Sequence, residues 1–314
     1  MHKNLISIII VSYNTEALTL QAVSSVINET KNYQFELIIF DNDSNDGTFE
    51  GLSAKYGNQD NIKIIQSKTN YGFAKGNNIA INSYAKGEYI LLLNPDTIVL
   101  NSAIDKLMDF AIRNPKAGVW GGKTFFPDMR VNPTYCWNRQ SFWSLLCQVW
   151  GLNSIFRRSS IFNPEAIGYW NTEKEIHVDI VSGCFLLIKN KTWKTLKGFD
   201  ELFFMYGEEA DLCLRAKKIG FTPMITTDAS IIHYGGASEK NKSEKLIKLI
   251  NAKALLIEKH FKNKTTKKIA LVLLKLWPLT RSLAHYFFLK LGYKNKYHEW
   301  RKVLEGLKDS RTVY

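Results

Sequence analysis

The first hundred residues alternate short apolar runs with amphipathic segments, and this alternation constrains the fold more than any other feature of the chain. Each apolar run is short and bounded by turn-forming residues, which indicates a buried strand, and the segments between the runs carry apolar residues at helical spacing. Strands that alternate with helices predict βαβ units and a mostly parallel sheet. The predicted strands are 6–11, 35–40, 62–65 and 89–93, and the predicted helices are 15–29, 48–56 and 74–84.

Polar clusters follow three of these strands at the points where the strands end. They occupy residues 12–14, 41–46 and 94–97. Open parallel sheets bind their ligands beyond the carboxyl ends of the strands. The sequence therefore predicts a ligand site at this edge, although ordinary loops are also rich in Asn, Asp and Ser.

Two residues that follow apolar runs are candidate metal ligands. Asp96 comes directly after a predicted strand, and Mg²⁺ binds through one or two carboxylates together with substrate phosphates. His233 follows Ile231 and Ile232, and histidine can also bind a metal. The alternatives are an Asp that serves as a turn residue or helix N-cap, and a His that is merely structural.

A second acidic cluster, Glu208, Glu209 and Asp211, precedes a predicted helix over 212–218. Carboxylates this close repel one another, which raises the pKa of at least one unless a cation or the helix N-terminus compensates. A carboxylate in a partly apolar pocket is a suitable general base. The alternative is that these acidic residues simply lie at a helix N-terminus and have no catalytic role.

The turn at 70–78 is rich in glycine and asparagine and opens a predicted helix. It has neither the spacing of a dinucleotide-binding fingerprint nor that of a P-loop. It can still place backbone amides and Asn side chains against a nucleotide sugar.

The middle of the chain and its end differ from the first half. Residues 125–175 are rich in aromatics without clear periodicity, which fits either an irregular packed region or an acceptor-binding surface. The apolar run at 180–188 predicts one buried strand. We expect one domain over 1–238, divided at about residue 100, followed by a helical module at 239–314.

Charge is concentrated in that final module. The formal net charge is +13; residues 239–314 carry 19 Lys and Arg against 6 Asp and Glu, whereas residues 1–238 carry 23 of each. We therefore expect no nucleic-acid partner for the body of the chain. The predicted helix over 244–261 and the apolar, basic stretch over 269–293 are typical of helices that lie on anionic lipid. Helices packed on the body with a solvated basic face are the alternative.

Targeting signals and cysteines give weaker information on location. No run reaches the ~20 uninterrupted apolar residues of a spanning helix, and the run at 5–11 is too short for a signal-peptide core. Four cysteines without a CxxC pair are consistent with a reducing compartment. We expect a cytoplasmic protein that associates peripherally with the inner face of the cell membrane.

Taken in order along the chain, these motifs resemble the inverting nucleotide-sugar glycosyltransferases of family 2, and in particular their bacterial rhamnosyltransferase-like branch. The resemblance covers about residues 5–240, and the ordered set is specific although each motif alone is weak. It implies a GT-A fold, which is an α/β fold with a Rossmann-like, mostly parallel central sheet flanked by helices, here with a C-terminal helical extension. Within 1–238 it implies a nucleotide-binding half at about 1–100 and an acceptor-binding half at about 101–238. The matching segments are 7–14, 41–48, 70–78, 93–97, 198–215 and His233 with Gly236 and Ser238.

The resemblance implies residue roles on the donor side. Asp41 matches the acidic residue that contacts the nucleotide base. Asp96 matches the last residue of the DxD motif, which holds Mg²⁺ or Mn²⁺ on the donor diphosphate, and His233 matches an additional metal or diphosphate contact. The other residues expected at the nucleotide sugar are Ser12, Asn14, Asn42, Asn70, Gly72, Lys75, Asn77, Asn78, Asn94 and Ser238.

On the acceptor side, Glu209 matches the general base that deprotonates the acceptor hydroxyl, while Glu208 and Asp211 shape its site. Two positions depart from the family pattern. Asn94 stands at the first DxD position, and Glu209 stands where the family has Asp, so either Glu208 or Glu209 could be the base. A single base carboxylate fits inversion by one displacement.

The implied activity is metal-dependent transfer of a sugar, such as rhamnose, from a dTDP-, UDP- or GDP-linked donor to an oligosaccharide or lipid-linked acceptor in cell-surface polysaccharide synthesis. One rival is a nucleotidyltransferase, but the chain lacks an N-terminal glycine-rich, basic pyrophosphorylase-type loop. The other is a non-catalytic carbohydrate-binding protein with a decayed transferase fold. Asn94 favours that rival, whereas the intact Asp96, the 208–211 cluster and His233 oppose it.

Overall fold

The computed structural model describes residues 2–171, 173–235, 241–287 and 294–309. The chain folds as two compact units. We call the described residues of 1–137 and 171–238 the sheet unit, and those of 138–170 and 239–314 the helical unit.

Strands and helices alternate through the first part of the sheet unit, as the sequence predicts. Ile8, Ile9 and Ile10 of the first strand are fully buried, and because successive strand side chains point to opposite faces, this is typical of a sheet covered on both faces. The predicted strands and helices of this part are confirmed, with bounds that differ by a few residues at most. The elements are β1 (His2–Ser12), α1 (Glu16–Glu29), β2 (Phe35–Asp41), α2 (Thr48–Tyr56), β3 (Ile62–Gln66), α3 (Gly72–Tyr84) and β4 (Gly87–Leu93).

The rest of the chain mixes short strands with helices. In chain order the elements are β5 (Thr97–Leu100), α4 (Ala103–Arg113), β6 (Val119–Phe125), β7 (Val131–Asn132), β8 (Cys136–Trp137), α5 (Phe142–Trp150), α6 (Leu152–Ile155), β9 (Glu175–His177), β10 (Ile180–Val181), β11 (Phe185–Lys189), α7 (Asn190–Leu196), α8 (Glu208–Lys218), β12 (Met224–His233), α9 (Lys242–His260), α10 (Lys264–Phe287) and α11 (Lys294–Asp309).

The central sheet has the strand order β3-β2-β1-β4-β11-β6-β12-β5, with β7 paired to β6 and β9 paired to β12. Strands β3, β2, β1 and β4 are parallel to one another, and β12 is parallel to β6. Strand β11 is antiparallel to both of its neighbours, and β5 is antiparallel to β12. The predicted α/β fold with a mostly parallel central sheet is confirmed.

Two local predictions are wrong. The apolar run at 180–188 is two strands, β10 and β11, because residues 182–184 turn between them and the Phe185 N–H donates to the Ser182 carbonyl at 3.4 Å. Helix α8 begins at Glu208 rather than 212, because Gly207 adopts a left-handed conformation with φ 88° immediately before it. The acidic cluster therefore lies inside the first turn of the helix.

The helical unit packs around its own apolar cluster, which includes Leu145, Ile257 and Leu274. Residues 138–170, which the sequence expectation placed in the acceptor-binding half, fold with the C-terminal helices. Lys253 Nζ, for example, lies 2.7 Å from Glu165 Oε1. Over the part of the chain that the structure describes, no helix is both long enough and apolar enough to cross a membrane.

Candidate active site

The ends of β1 and β2 bring Ser12 and Asp41 together. They face each other in the parallel register, and both are fully buried. Ser12 Oγ and both carboxylate oxygens of Asp41 are buried and receive no hydrogen bond of good geometry from the described residues. Burial raises the pKa of Asp41. Because a buried polar atom without a partner costs free energy, this pair is well suited to receive a ligand's polar groups.

Asn14 serves the neighbouring loop. Its backbone adopts a left-handed conformation with φ 51°. Its N–H donates to Ser44 Oγ at 2.9 Å, and its Oδ1 accepts from the Asn45 N–H at 2.8 Å. These bonds fix the loop that follows β2 against the end of β1.

Three of the predicted donor-binding residues form a hydrogen-bonded network. Asn42 Nδ2 donates to Asn70 Oδ1 at 3.0 Å and to the Gly72 carbonyl at 3.2 Å. Asn42 Oδ1 accepts from the Tyr71 N–H at 3.0 Å, and Asn70 Oδ1 accepts from the Gly72 N–H at 2.9 Å. Gly72 has φ +75°, and a Cβ there would lie 2.5 Å from the Phe204 carbonyl oxygen. The network shapes the turn that leads into α3.

The predicted donor-binding residues on α3 also make hydrogen bonds or ion pairs within the protein. Asn77 Nδ2 donates to a carbonyl one helical turn earlier, at 2.8 Å. Asn78 exchanges two hydrogen bonds of 2.9 Å with the Phe199 backbone. Lys75 Nζ lies 3.6 Å from Glu201 Oε2, and both side chains are about half exposed. Lys75 is the one of these three that is exposed enough to reach a ligand.

Asp96, Asn94 and His233 meet where β4 ends and β12 ends. Asp96 Oδ1 lies 3.3 Å from His233 Nε2, and Asn94 Nδ2 lies 3.3 Å from the same nitrogen. Asp96 Oδ2 accepts from the Gly235 N–H at 3.0 Å. Asn94 Oδ1 is buried without a partner among the described residues.

The shifts in pKa within this group follow from the pairing. Burial alone would raise the pKa of Asp96, but the hydrogen bond and charge of His233 lower it overall. Burial alone would lower the pKa of His233, but Cys184 and Asp96 raise it to about 10. In the free protein, Asp96 and His233 therefore stabilise each other's charged forms.

The donor set fits a divalent cation that is shared with a substrate. Asp96 Oδ1 and the unpartnered Asn94 Oδ1 are oxygen ligands of the kind that Mg²⁺ prefers, and Mn²⁺ also accepts imidazole. Across the described ranges, no three His, Cys, Asp or Glu side chains cluster into a complete metal site. A cation here would therefore need further oxygens from a bound ligand such as a diphosphate.

The first turn of α8 carries two carboxyl groups, and the ionisation of each affects that of the other. Glu208 is 4% exposed, and the Oε2 atoms of Glu208 and Glu209 are both buried without partners among the described residues. Burial raises the pKa of both, and the charge of Glu209 raises that of Glu208 further. Backbone N–H groups at the helix start lower the pKa of Glu209. The two carboxyl groups therefore titrate as a pair, and once the first proton is lost the resulting buried charge makes loss of the second proton harder.

The turn at 182–184 links the two carboxyl-bearing regions, and the sequence prediction missed it. The Asn94 N–H donates to the Cys184 carbonyl at 3.2 Å. A Cβ on Gly183 would lie 3.6 Å from Glu209 Cβ and 3.6 Å from Phe73 Cε1. A glycine inside an otherwise apolar run was the one sequence signal for this turn.

Asp211 is fully buried and has a different role from its two acidic neighbours. Its Oδ2 lies 2.6 Å from Arg215 Nε, and Arg215 also donates to the carbonyls of Leu196 and Gly198 at 2.5 and 2.8 Å. The pair anchors α8 to the turn after α7. Ser238, the remaining predicted site residue, lies outside the described residues.

Comparison with known proteins gives a family and relatives. A model of the family described as Glycosyl transferase family 2 matches residues 7–194. The N-acetylglucosaminyl-diphospho-decaprenol L-rhamnosyltransferase of Mycobacterium tuberculosis is 26% identical over 211 residues, covering 63% of this chain and 66% of the relative. The rhamnosyltransferase WbbL of Escherichia coli K12 is 29% identical over 180 residues, covering 55% and 64%. The chain thus spans just under two thirds of the length of these relatives.

Solved structures agree on the fold. Mannosyltransferase PcManGT from Pyrobaculum calidifontis, in complex with GDP-Man and Mn²⁺, matches with a TM-score of 0.61 at 13% identity, over 99% of this chain and 89% of that one. S. aureus TarS 1–349, in complex with UDP, matches with a TM-score of 0.55 at 15% identity, over 98% and 93%. At these identities the likeness shows the fold, and it confirms the predicted GT-A architecture.

Proposed function

The chain belongs to glycosyl transferase family 2, and from this membership we propose that it transfers a sugar from a nucleotide-diphospho-sugar to a saccharide acceptor, with inversion at the anomeric carbon. The observation that carries the proposal is the turn at 182–184. Its Cys184 carbonyl accepts from the Asn94 N–H beside the candidate metal ligands, and a Cβ added to its Gly183 would lie 3.6 Å from Cβ of the candidate base Glu209. A donor diphosphate and an acceptor hydroxyl can therefore be handled by neighbouring groups.

On the donor side, Ser12 and Asp41 receive the nucleotide base, since their unpartnered oxygens can accept its N–H groups. Asp96, Asn94 and His233 would hold Mg²⁺ or Mn²⁺ on the diphosphate. The Mn²⁺ in the mannosyltransferase complex, which has the same fold, supports this assignment. When bound, such a cation stabilises the negative charge that develops on the departing diphosphate.

On the acceptor side, Glu209 takes the proton from the attacking hydroxyl. Glu208 keeps its own proton because burial and the adjacent charge raise its pKa well above the usual value. The protonated Glu208 avoids a second buried charge beside the base. One base and one displacement lead to inversion.

The names of the two rhamnosyltransferase relatives support finer proposals. We propose a rhamnosyl donor linked to dTDP, UDP or GDP, and a lipid-linked acceptor in cell-surface polysaccharide synthesis. The M. tuberculosis relative is named for such an acceptor. A lipid-borne acceptor places the protein at the cytoplasmic face of the cell membrane, attached peripherally through its basic helical unit.

A thermal-shift panel tests the donor and metal assignments together. Free enzyme is melted with dTDP-, UDP- and GDP-sugars, each with Mn²⁺, Mg²⁺ or EDTA. A donor present at 100 times its Kd stabilises the fold by about 2.7 kcal/mol. We expect one donor to raise Tm with a divalent cation, and Asp96→Asn to lose that increment. No shift with any donor, or an undiminished shift in Asp96→Asn, contradicts the proposal.

A further inference from the structure

Helix α10 carries a continuous row of exposed apolar side chains. Its members recur every three or four residues, so they lie on one face of the helix and extend about 25 Å along it. Between 37% and 54% of each residue is exposed. The members are Ile269, Val272, Leu276, Leu279, Leu283 and Tyr286.

The opposite face of α10 is the one that packs into the core of the helical unit. Ala270, Leu273, Leu274 and Pro278 are buried there. The exposed row is therefore additional to the core of the helical unit. A long apolar row in contact with water is unfavourable in a free protein and marks a binding surface.

The charges along the chain segment that carries the row are of one sign. The 40 residues from 259 to 298 contain ten Lys and Arg and no Asp or Glu. At 100° per residue, Lys264, Lys268 and Lys275 lie along one border of the apolar row, and all three are exposed. An apolar face bordered by cations complements a surface of phosphate groups above acyl chains.

The segment 150–158 of the same unit, which we call the 150–158 loop, comprises the end of α5, the short helix α6 and the residues after it, and it adds further exposed apolar side chains. Trp150 and Ile155 are 73% and 72% exposed, and Arg157 and Arg158 follow them. The loop is held on α10, because Arg281 Nη2 donates to the Gln148 carbonyl at 3.0 Å and Thr280 Oγ1 donates to the Val149 carbonyl at 2.9 Å. Trp150 and Ile155 thus belong to a segment that is fixed to the carboxyl-terminal half of α10.

We propose that the α10 row and the 150–158 loop form one membrane-insertion face, which enters the headgroup region of an anionic bilayer with the helix lying parallel to the surface. The inference rests on the proposed function only in that a lipid-borne acceptor explains why the protein should bind there. A second copy of the chain is the less suitable occupant, because pairing two such faces would bring two rows of lysines together.

Vesicle sedimentation of the full chain tests this face. Vesicles of phosphatidylcholine with phosphatidylglycerol are compared with vesicles of phosphatidylcholine alone. We expect the wild type to pellet with the anionic vesicles. Val272→Ser combined with Leu279→Ser and Leu283→Ser should weaken partitioning roughly tenfold or more, because these side chains would be buried in lipid. The three positions are exposed, so the fold should persist.

The matched control is Ile112→Ser combined with Ile219→Ser, which removes two similarly exposed apolar side chains, at 45% and 50%, from the sheet unit. The control should pellet like the wild type. A second readout is quenching of tryptophan fluorescence by brominated lipid. The quenched part of the fluorescence should be smaller in Trp150→Phe than in the wild type.

Three results would each overturn the insertion face. The triple variant and the wild type could pellet equally, or the wild type could fail to bind vesicles. The third is a wild-type dimer that the triple variant converts to monomer. Donor-induced thermal shifts are measured on the same samples. If those shifts persist while vesicle binding is absent, the insertion face is wrong and the transferase proposal stands; if the shifts are absent while vesicle binding is seen, the reverse holds.

Discussion

Two sets of polar side chains lie at the carboxyl edge of the sheet unit, and they differ in whether the protein itself satisfies them. The members of the first, which we call the paired set, exchange hydrogen bonds or ion pairs with other parts of the fold. The members of the second, the open set, keep at least one buried oxygen without a partner among the described residues. The paired set is Asn42, Asn70, Asn78 and Asp211, and the open set is Ser12, Asp41, Asn94, Glu208 and Glu209.

We expect this difference to distinguish residues that stabilise the fold from residues that serve a ligand. A paired polar group contributes to stability, whereas a buried polar group without a partner costs about 1–3 kcal/mol until a ligand satisfies it. Helix α8 contains both kinds within one turn, since Glu208 and Glu209 are open and Asp211 is paired with Arg215. Substitutions in the open set should therefore impair activity, and substitutions in the paired set should impair stability.

The largest effect is expected from Glu209→Gln. Loss of the general base should lower the transfer rate by about 10³-fold, while Tm and the donor-induced thermal shift stay close to wild type. Initial rates of sugar transfer provide the measurement, with the exposed Glu173→Gln as the matched control. If Glu208→Gln shows the large loss and Glu209→Gln does not, the roles of the two carboxyl groups are exchanged.

A smaller effect, on stability, is expected from Asp211→Asn. It removes the negative charge that pairs with Arg215, so the guanidinium keeps its carbonyl partners but has no opposite charge beside it. This should lower the free energy of unfolding by about 3 kcal/mol. Urea unfolding followed by circular dichroism measures the change. Activity per folded molecule should remain within a few-fold of wild type. An unchanged urea midpoint together with a collapsed rate would place Asp211 in the open set.

The smallest effect is a pH dependence. Burial raises the pKa of Glu208 and Glu209 in the folded state. Transfer should therefore increase with pH through a raised carboxyl pKa. The raised values contribute stability that is fully present below the unfolded pKa, near 4.5, and is lost as pH rises through the folded pKa. The stabilities of wild type and Glu208→Gln should be similar in acid and should separate as pH rises towards neutral, with the wild type becoming the less stable of the two; parallel profiles would show that the pKa of Glu208 is not raised.

The sequence predicted β1 to β4 and the helices between them because local signals define them, whereas it did not predict β5. Apolar periodicity and turn-forming residues place β1 to β4 and the helices between them. The same signals failed at 180–188, where a single glycine inside an apolar run concealed a turn. They also placed the start of α8 too late, because the left-handed Gly207 is not apparent from composition.

The sequence identified the chemistry-bearing positions as a group but did not separate the paired from the open ones. Asn78 meets Phe199 across 121 residues, and Asp96 meets Gly235 across 139. Partners so distant in the chain cannot be read from spacing. The assigned roles of the site residues stay predictions until the experiments above are made.

The sequence by itself determined the order of elements, the family, the acidic candidates and the confinement of the +13 charge to residues 239–314. Only the tertiary structure decided which carboxylates keep unpartnered oxygens, that residues 138–170 fold with the C-terminal helices, and that the apolar residues of α10 divide into a buried face and an exposed row. The physical reason is that periodicity and turn chemistry act between near neighbours, whereas burial and hydrogen-bond satisfaction depend on segments brought together from distant parts of the chain.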